Sequence, residues 1–123
     1  MSARLFHLVD RQTWRAAHAT GAYRPDSLLA EGFVHCSYAE QVAAVANARY
    51  RGVATLCVVE LDPALIPAEI RVEDSYGEGS AFPHVYGPVP TDAAVAIHDL
   101  DIGSDGSWRF NPGAASAAAA SDR

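Results

Sequence analysis

The chain of 123 residues fits one domain, and half of its residues are apolar, so it can bury a sizeable core. Its formal net charge is −6, it contains no lysine, and its arginines are scattered singly. These features exclude the basic surface that binding of a nucleic-acid duplex requires. A small anionic ligand stays compatible with this charge, because backbone amides and a few arginines are enough to hold a phosphate.

Nothing in the sequence indicates export or membrane insertion. The N-terminal segment has no apolar run long enough for a signal peptide, and no stretch approaches transmembrane length. The two cysteines, Cys36 and Cys57, each lie in an apolar run, where a free thiol usually behaves as a small buried hydrophobe. We therefore expect a cytoplasmic protein without disulfides or a membrane span.

The first part of the chain predicts a strand followed by a helix. Residues 5–9 are apolar and predict a short strand. Asp10 is a good N-cap for the helix that follows, which Gly21 ends. The segment over residues 23–30 contains a proline and short polar side chains, so it predicts a loop with at most one helical turn.

A second strand and helix follow. Residues 32–36 predict another short strand. Ser37 and Glu40 then match the capping-box pattern, with Ser37 as the first residue of the box and a helix that runs to about residue 50. Residues 54–61 are rich in β-branched and apolar side chains and form the strongest strand candidate of the chain.

The second half of the chain predicts mainly strands, over residues 69–74, 82–86 and 93–101. In the first of these, Ile70 and Val72 alternate with polar residues and are expected to face the core. The second is expected to be an edge or irregular strand, because Pro83 cannot donate a ladder hydrogen bond. A glycine-rich loop over residues 75–81 separates these two strands.

This order of elements predicts a single α+β domain over residues 1–102, with an antiparallel-rich sheet and two main helices in its N-terminal half. Residues 103–123 are expected to form a C-terminal extension. The low-complexity end of that extension has too little apolar bulk to order itself.

Three short strands each carry a histidine among apolar neighbours: His7, His35 and His84. Alternate strand residues face the same side, so Ser37 shares a face with His35, and Tyr86 shares one with His84. A buried polar group without a partner costs roughly 1–3 kcal/mol, and histidines that meet around one ligand or water cluster avoid that cost. The alternative is that each histidine bonds a nearby backbone carbonyl, while Ser37 is occupied as a helix cap.

Other side chains are open to both a functional and a structural interpretation. Glu73 is either a catalytic carboxylate or a solvated strand residue, and Tyr23 either stacks on a planar ligand or packs in a loop. No metal site is predicted, because there is no H-x-H or CxxC spacing. His35 and Cys36 are adjacent on a strand and would point to opposite faces.

The sequence resembles the DUF952 family of small bacterial proteins over residues 4 to about 100. The resemblance is carried by FHL, TWRAA, GAYRPDSL, GFVHCS, VVELDP and FPHVYGP, in that order. Family members are often labelled glutathione S-transferase domain-containing, but this chain is too short for a thioredoxin-like half followed by a helical domain. By similarity, the family implies an ADP-ribosyltransferase-like fold, which RNA 2′-phosphotransferases also have.

The resemblance implies that NAD, ADP-ribose or a related nucleotide is the ligand. It implies that His7 hydrogen-bonds a ribose hydroxyl. The VHCS segment that ends at Ser37 looks like the V-H-x-S segment of the phosphotransferases. Tyr86 and Tyr23 would stack on the base, and the helix after Ser37 would face a phosphate.

The same resemblance implies catalytic roles. His35 or His84 would supply general acid or base chemistry, and Glu73 would stabilise positive charge on the ribose. Arg71 is the best placed arginine for a phosphate. The glutamate of the transferases has no clear counterpart, since the third element offers His84 and Tyr86 instead.

Three functions therefore follow from the sequence. The first is an ADP-ribosyl- or phosphotransferase-like enzyme acting on NAD, ADP-ribose or a related nucleotide. The second is a non-catalytic module that binds a nucleotide or metabolite in the same pocket. The third is a small acid–base isomerase, cyclase or hydrolase that acts on an apolar metabolite with its three histidines.

Overall fold

The computed structural model describes residues 3–74, 77 and 79–111. The strands in this part of the chain are β1 (Leu5–Asp10), β2 (Ala22–Tyr23), β3 (Val34–His35), β4 (Leu56–Leu61), β5 (Ile70–Glu73), β6 (Phe82–Val85), β7 (Val89–Pro90), β8 (Ala94–Asp99), β9 (Asp101–Ile102) and β10 (Trp108–Arg109). The helices are α1 (Arg11–Thr20), α2 (Asp26–Ala30) and α3 (Val42–Arg49), and the 3₁₀ turns are Ala39–Gln41, Pro63–Leu65 and Thr91–Ala93.

The strands form two three-stranded sheets and two short pairs. One sheet has the order β1–β4–β8 and the other β3–β6–β5, and every pairing within them is antiparallel. The pairs are β2 with β7 and β9 with β10. The predicted α+β class with antiparallel pairing and two main helices, α1 and α3, in the N-terminal half is confirmed. No helix in the described part of the chain is long and apolar enough to span a bilayer.

Local sequence signals determine the ends of α1, as predicted. The Asp10 carboxylate accepts hydrogen bonds from the backbone N–H groups of Gln12 and Thr13, at 3.0 and 3.3 Å. Gly21 has a φ of 85°, a left-handed conformation that glycine adopts without strain, and it ends the helix. The loop expected after it contains α2, a single short helix.

The start of the next helix differs from the prediction. Ser37 is not its cap: the Ser37 N–H donates to the Phe6 carbonyl at 2.7 Å, and the Phe6 N–H donates to the Ser37 carbonyl at 2.8 Å. The cap lies one residue later, where the Tyr38 N–H donates to the Gln41 side chain at 2.9 Å. The capping-box prediction was wrong because Ser37 is used to join two strands that are distant in sequence.

Two predictions for the second half of the chain were also wrong. The strand that contains Pro83 lies at the centre of its sheet, between β3 and β5, and Pro83 takes part in the pairing by accepting a hydrogen bond from the Cys36 N–H at 3.1 Å. Val72 lies on β5, an edge strand of this sheet, and is 54% exposed rather than buried, because the described residues leave its side chain largely uncovered. The predicted last strand is followed by two more, β9 and β10.

The loop predicted over residues 75–81 is described only in part, since residues 75, 76 and 78 lie outside the described residues. Residues 112–123 of the predicted extension also lie outside them. Trp108, in the described part of the extension, is buried. The domain boundary after residue 102 stays a prediction.

The core consists of two clusters, one on each face of the β1–β4–β8 sheet. Alternate residues of β1 enter different clusters: Leu5 and Val9 belong to the first, and Phe6 and Leu8 to the second. This division explains why β1 is apolar at successive positions. The first cluster includes residues of α1, β2, β3 and β6. The second is covered by α3 and Trp108.

The turn after β6 generates a stability prediction. A Cβ atom added at Gly87 would lie 2.7 Å from the Cβ atom of Ala68, a distance that forces the backbone to shift. We expect Gly87→Ala to lower the free energy of unfolding by roughly 1–3 kcal/mol, as overpacking does. We expect the double variant, Gly87→Ala with Ala68→Gly, to recover most of that loss once the effect of Ala68→Gly alone is subtracted. Urea unfolding of the two single variants and the double variant measures these free energies. A Gly87→Ala variant as stable as the wild type would contradict the assigned contact.

Candidate functional site

A cavity of about 530 Å³ runs along the edge of β1 that β4 leaves open. One wall is apolar and comes from α3, with Ala44, Val45 and Ala48. The other parts of the lining carry polar groups, contributed by His7, Asp10, Tyr23, Ser27, His35, Ser37, Arg49, Tyr50 and His84. We call this cavity the cleft. Its volume lies in the range of small-molecule sites, which hold about 300–1,000 Å³.

The open edge of β1 gives the cleft a backbone donor and acceptor. The N–H and C=O groups of Phe6 point away from β4, since both are bonded to Ser37. Backbone groups two residues apart along a strand point to the same edge, so the N–H and C=O of Leu8 also face away from β4. Leu8 lines the cleft. A ligand with an amide-like group can therefore bind this edge as a neighbouring strand would.

His7 lies at the base of the cleft and uses both ring nitrogens. Its Nδ1 lies 2.5 Å from the His35 carbonyl oxygen, and its Nε2 lies 2.7 Å from the Tyr23 hydroxyl. A carbonyl only accepts, so Nδ1 carries the proton and donates it, while Nε2 accepts from the Tyr23 hydroxyl. Burial lowers the pKa of His7 to about 4, so the ring is neutral at pH 7.

Through these two hydrogen bonds His7 holds neighbouring strands together. They connect β1 to the backbone of β3 and to the Tyr23 side chain of β2. The Tyr23 ring lies 5.0 Å from the His7 ring and 5.4 Å from the Trp14 ring, between centroids. A ribose hydroxyl can reach a His7 nitrogen only if one of these bonds breaks.

His84 is almost fully buried, with 2% of its surface exposed, and it forms the end wall of the cleft. The Phe33 ring stacks on it with centroids 4.0 Å apart and an interplanar angle of 17°. Its Nδ1 lies 3.1 Å from Glu73 Oε1. Because a carboxylate only accepts, Nδ1 is the donor, and a neutral ring then has its lone pair on Nε2. Glu73 is not part of the cleft lining, so Nε2 is the nitrogen left for the cleft.

Glu73 is held from a second side by Tyr86. The Tyr86 hydroxyl donates to the same Oε1 atom at 2.5 Å. The hydrogen bond from Tyr86, followed by that from His84, lowers the pKa of the Glu73 carboxyl. The Arg71 guanidinium lies 4.3 Å above the centre of the Tyr86 ring and is also bonded to Glu69 at 3.0 Å. Arg71, Glu73 and Tyr86 therefore lie behind His84 rather than in the cleft.

His35 lies opposite His84 in the strand register, and the two ring centroids are 5.3 Å apart. Its Nε2 bonds the Glu31 carboxylate. The side chain is 39% exposed, so it lies at the mouth of the cleft and not at its base.

The structure thus separates the predicted site residues into two groups. His7, Tyr23, His35, Ser37 and His84 line the cleft. Glu73, Tyr86 and Arg71 lie behind it: Glu73 bonds His84, Tyr86 bonds Glu73, and Arg71 lies over the Tyr86 ring. Tyr86, which was predicted to stack on a ligand base, is not part of the cleft lining. The roles assigned to the cleft residues stay predictions.

Several site residues were missed by sequence reasoning. Phe33, which stacks on His84, is two residues before His35 and therefore on the same strand face, a signal that was available. Glu31 is the C-cap of α2 and lies four residues before His35, so its bond to His35 depends on the turn between α2 and β3. The apolar wall of α3 could not be recognised, because nothing in its sequence separates a cleft wall from a core face.

A second pair of a histidine and a carboxylate lies outside the cleft lining, on the face of the β1–β4–β8 sheet that the second core cluster covers. His98 Nε2 donates to Glu60 Oε1 at 2.7 Å, and both residues are buried. Among the described residues nothing bonds the His98 Nδ1 atom. In this pair the ring nitrogen that bonds the carboxylate is Nε2, whereas in the pair of His84 and Glu73 it is Nδ1. In the described ranges no three His, Cys, Asp or Glu side chains converge as a metal site requires.

Comparison with known proteins gives a family and a fold. A family model described as "Protein of unknown function (DUF952)" matches residues 8–97. No curated protein matches the chain. The crystal structure of protein CC0527 from Caulobacter crescentus is 30% identical, with 87% of this chain and 94% of that chain covered and a TM-score of 0.77. The solution NMR structure of CC0527 is 31% identical, with coverages of 85% and 90% and a TM-score of 0.73.

The buried neutral state of His7 generates a prediction on pH dependence. The unfolded chain binds a proton at His7 below about pH 6.5, whereas the folded chain binds it only near pH 4. Stability from this group is therefore present above pH 6.5 and is lost as the pH falls towards 4, on the order of 3 kcal/mol in total. Urea unfolding of the wild type at several pH values between 7 and 4 measures this loss.

The matched control is His7→Gln, which cannot titrate. We expect it to be less stable than the wild type at pH 7, and its stability should fall less steeply between pH 6.5 and 4. The difference in slope should approach about 1.4 kcal/mol per pH unit, the value for one proton. Parallel pH profiles for the two chains would show that His7 is not held neutral.

Proposed function

The chain belongs to the DUF952 family of proteins of unknown function, and we propose that its cleft binds a ribose-containing nucleotide of the NAD or ADP-ribose type, on which His84 acts as a general base. In this proposal the protein works in the cytoplasm on a small molecule. Its cysteines, Cys36 and Cys57, are both free and buried, which suits a reducing compartment.

The observation that carries the proposal is the contact between the Glu73 carboxylate and His84 Nδ1 at 3.1 Å. A carboxylate bonded to one imidazole nitrogen fixes the tautomer, and it stabilises the imidazolium that forms when the other nitrogen takes a proton. Nε2 would take that proton from a water molecule or a ligand hydroxyl in the cleft. Positioned proton transfer of this kind typically accelerates a reaction by 10²–10⁴-fold.

The composition of the cleft supports a nucleotide as ligand. The α3 wall, with Ala44, Val45 and Ala48, offers an apolar surface to a base. The Leu8 backbone offers a donor and an acceptor to an amide group. Ser37 offers a hydroxyl to a ribose, a role that the sequence had given to His7. The ADP-ribosyltransferase-like fold that the sequence resemblance implies would support the same ligand by analogy.

A second candidate function is acid–base chemistry on an apolar metabolite, with the same dyad of His84 and Glu73. Arg49 is the one basic residue other than histidine among the described residues that line the cleft. Enzymes that hold pyrophosphates usually use several positive or backbone N–H groups. A cleft lining with so few cations suits an apolar metabolite, and this is the observation that supports the second candidate.

Ligand binding is tested by thermal-shift titrations with NAD, ADP-ribose and a 2′-phosphorylated nucleotide. We expect at least one of them to raise the Tm of the wild type in a dose-dependent way. Ala48→Trp places a large side chain in the cleft and should abolish the shift, whereas Ala19→Trp on the exposed face of α1 should not. No shift with any of the three at millimolar concentration, or an equal shift in Ala48→Trp, would rule out nucleotide binding in the cleft.

Turnover is tested on the nucleotide that binds, by following product release. We expect His84→Gln to bind that nucleotide within a few-fold of the wild type but to release product 10²–10⁴-fold more slowly, since the base is lost. An unchanged rate would remove His84 from the mechanism. Saturable binding by the wild type without any turnover would assign a non-catalytic binding module instead.

A further inference from the structure

Tyr86 lies outside the cleft and still bonds the atom on which His84 depends. Its hydroxyl donates to Glu73 Oε1 at 2.5 Å, and His84 Nδ1 lies 3.1 Å from the same oxygen. Both donors therefore converge on one atom of the carboxylate. The stacking role on a ligand that the sequence resemblance gave to Tyr86 stays a prediction, and the contacts described here point to a different role.

We propose that Tyr86 is a positioning residue for the pair formed by Glu73 and His84. Its hydroxyl holds Glu73 Oε1 where it accepts the Nδ1 proton of His84, and this leaves the lone pair of Nε2 for the cleft. The proposal rests on the proposed function, in which Nε2 is the general base.

The placement of Glu73 explains why it needs a second bond. Glu73 ends the edge strand β5, and its side chain is 31% exposed. A glutamate at such an exposed position has several accessible rotamers, and many of them turn the carboxylate towards water. The Tyr86 hydroxyl selects the rotamer that faces His84.

Tyr86 is itself held from several directions. Its backbone N–H donates to the Glu69 carbonyl at 2.8 Å, which anchors it to the chain just before β5. The Phe33 ring lies 5.3 Å from the Tyr86 ring, and Phe33 also stacks on His84. The Arg71 guanidinium lies over the Tyr86 ring, 4.3 Å from its centroid. The phenol is therefore a fixed donor and not a mobile one.

The hydrogen bond from the Tyr86 hydroxyl to Glu73 also keeps the Nδ1 proton on the imidazole of His84. Donation from the Tyr86 hydroxyl is the largest contribution to the lowered pKa of Glu73, and Glu73 in turn raises the pKa of Tyr86. A less basic carboxylate takes the Nδ1 proton less readily, so His84 keeps the tautomer with a free Nε2. Removing the hydroxyl should release Glu73 and make this tautomer less uniform.

The test compares the wild type with Tyr86→Phe, which keeps the ring and its contacts with Phe33 and Arg71. Carbon-13 NMR of the Glu73 carboxyl should show titration at a higher pH in the variant. The His84 Nδ1 proton should also exchange with water faster. Tyr38→Phe removes a hydroxyl from a partly buried tyrosine elsewhere and should change neither signal. Identical Glu73 titration and His84 exchange in the wild type and Tyr86→Phe would overturn the proposal.

A second variant keeps the proposal testable if Tyr86→Phe unfolds. Glu73→Gln leaves Tyr86 in place and removes the charge that it orients, so the His84 Nδ1 proton should again exchange faster. Unchanged exchange in Glu73→Gln would also overturn the proposal.

The NMR readouts need no ligand, so the two proposals fail separately. If the expected NMR changes occur and no nucleotide binds, Tyr86 is a positioning residue and the proposed ligand is wrong. If a substrate is turned over, Tyr86→Phe should lower kcat while KM stays within a few-fold of the wild type. Unchanged kcat would remove the positioning role and leave the proposed function intact.

Discussion

The neutral imidazole of His7 is the group on which the shape of the cleft depends. It donates to the backbone of β3 and accepts from Tyr23 of β2, so three segments distant in sequence meet at one ring. Among the described residues, the hydrogen bonds that join β1 to β3 and the residues just after it are the one from His7 and the two backbone bonds between Phe6 and Ser37. A protonated His7 could not accept from Tyr23, which is why the site requires burial that lowers its pKa.

The two buried histidines His7 and His84 therefore both carry their proton on Nδ1, but their other ring nitrogens have different surroundings. His7 donates through Nδ1 and has its Nε2 occupied by a tyrosine, so the ring is closed to a ligand. His84 donates through Nδ1 to a carboxylate, and its Nε2 is left for the cleft. The structural role of His7 and the proposed role of His84 as a general base therefore differ in what the second ring nitrogen meets. In both cases a tyrosine hydroxyl stabilises the arrangement, directly at His7 and through Glu73 at His84.

The parts of this structure that sequence reasoning recovered are those with local causes. Asp10 and Gly21 determine the ends of α1 through their own side chain and backbone, and alternation in the strands places His35 and Ser37 on one face. The errors concern strand order and register. Nothing in the sequence near Ser37 indicates that it pairs with Phe6. Pro83 suggested an edge strand, because edge strands and central strands differ only in whether other strands flank them, which the local sequence does not show.

The same limit explains why the partners of His84 were not recognised together. Glu73 and Tyr86 are thirteen residues apart and meet only because β5 and β6 pair in a register that places Glu73 beside Phe82. A one-residue slip in that register would turn Glu73 to the opposite face. The sequence therefore offered both residues as candidates, but not their contact.

The most direct test of this account is a nitrogen-15 NMR measurement of the histidine tautomers at neutral to mildly alkaline pH. We expect the neutral rings of His7 and His84 to carry their proton on Nδ1. His98, which donates through Nε2 to Glu60, is expected to show the opposite tautomer and serves as the internal reference. A proton on Nε2 of His84 would contradict the account, because the cleft would then face a donor and not a base.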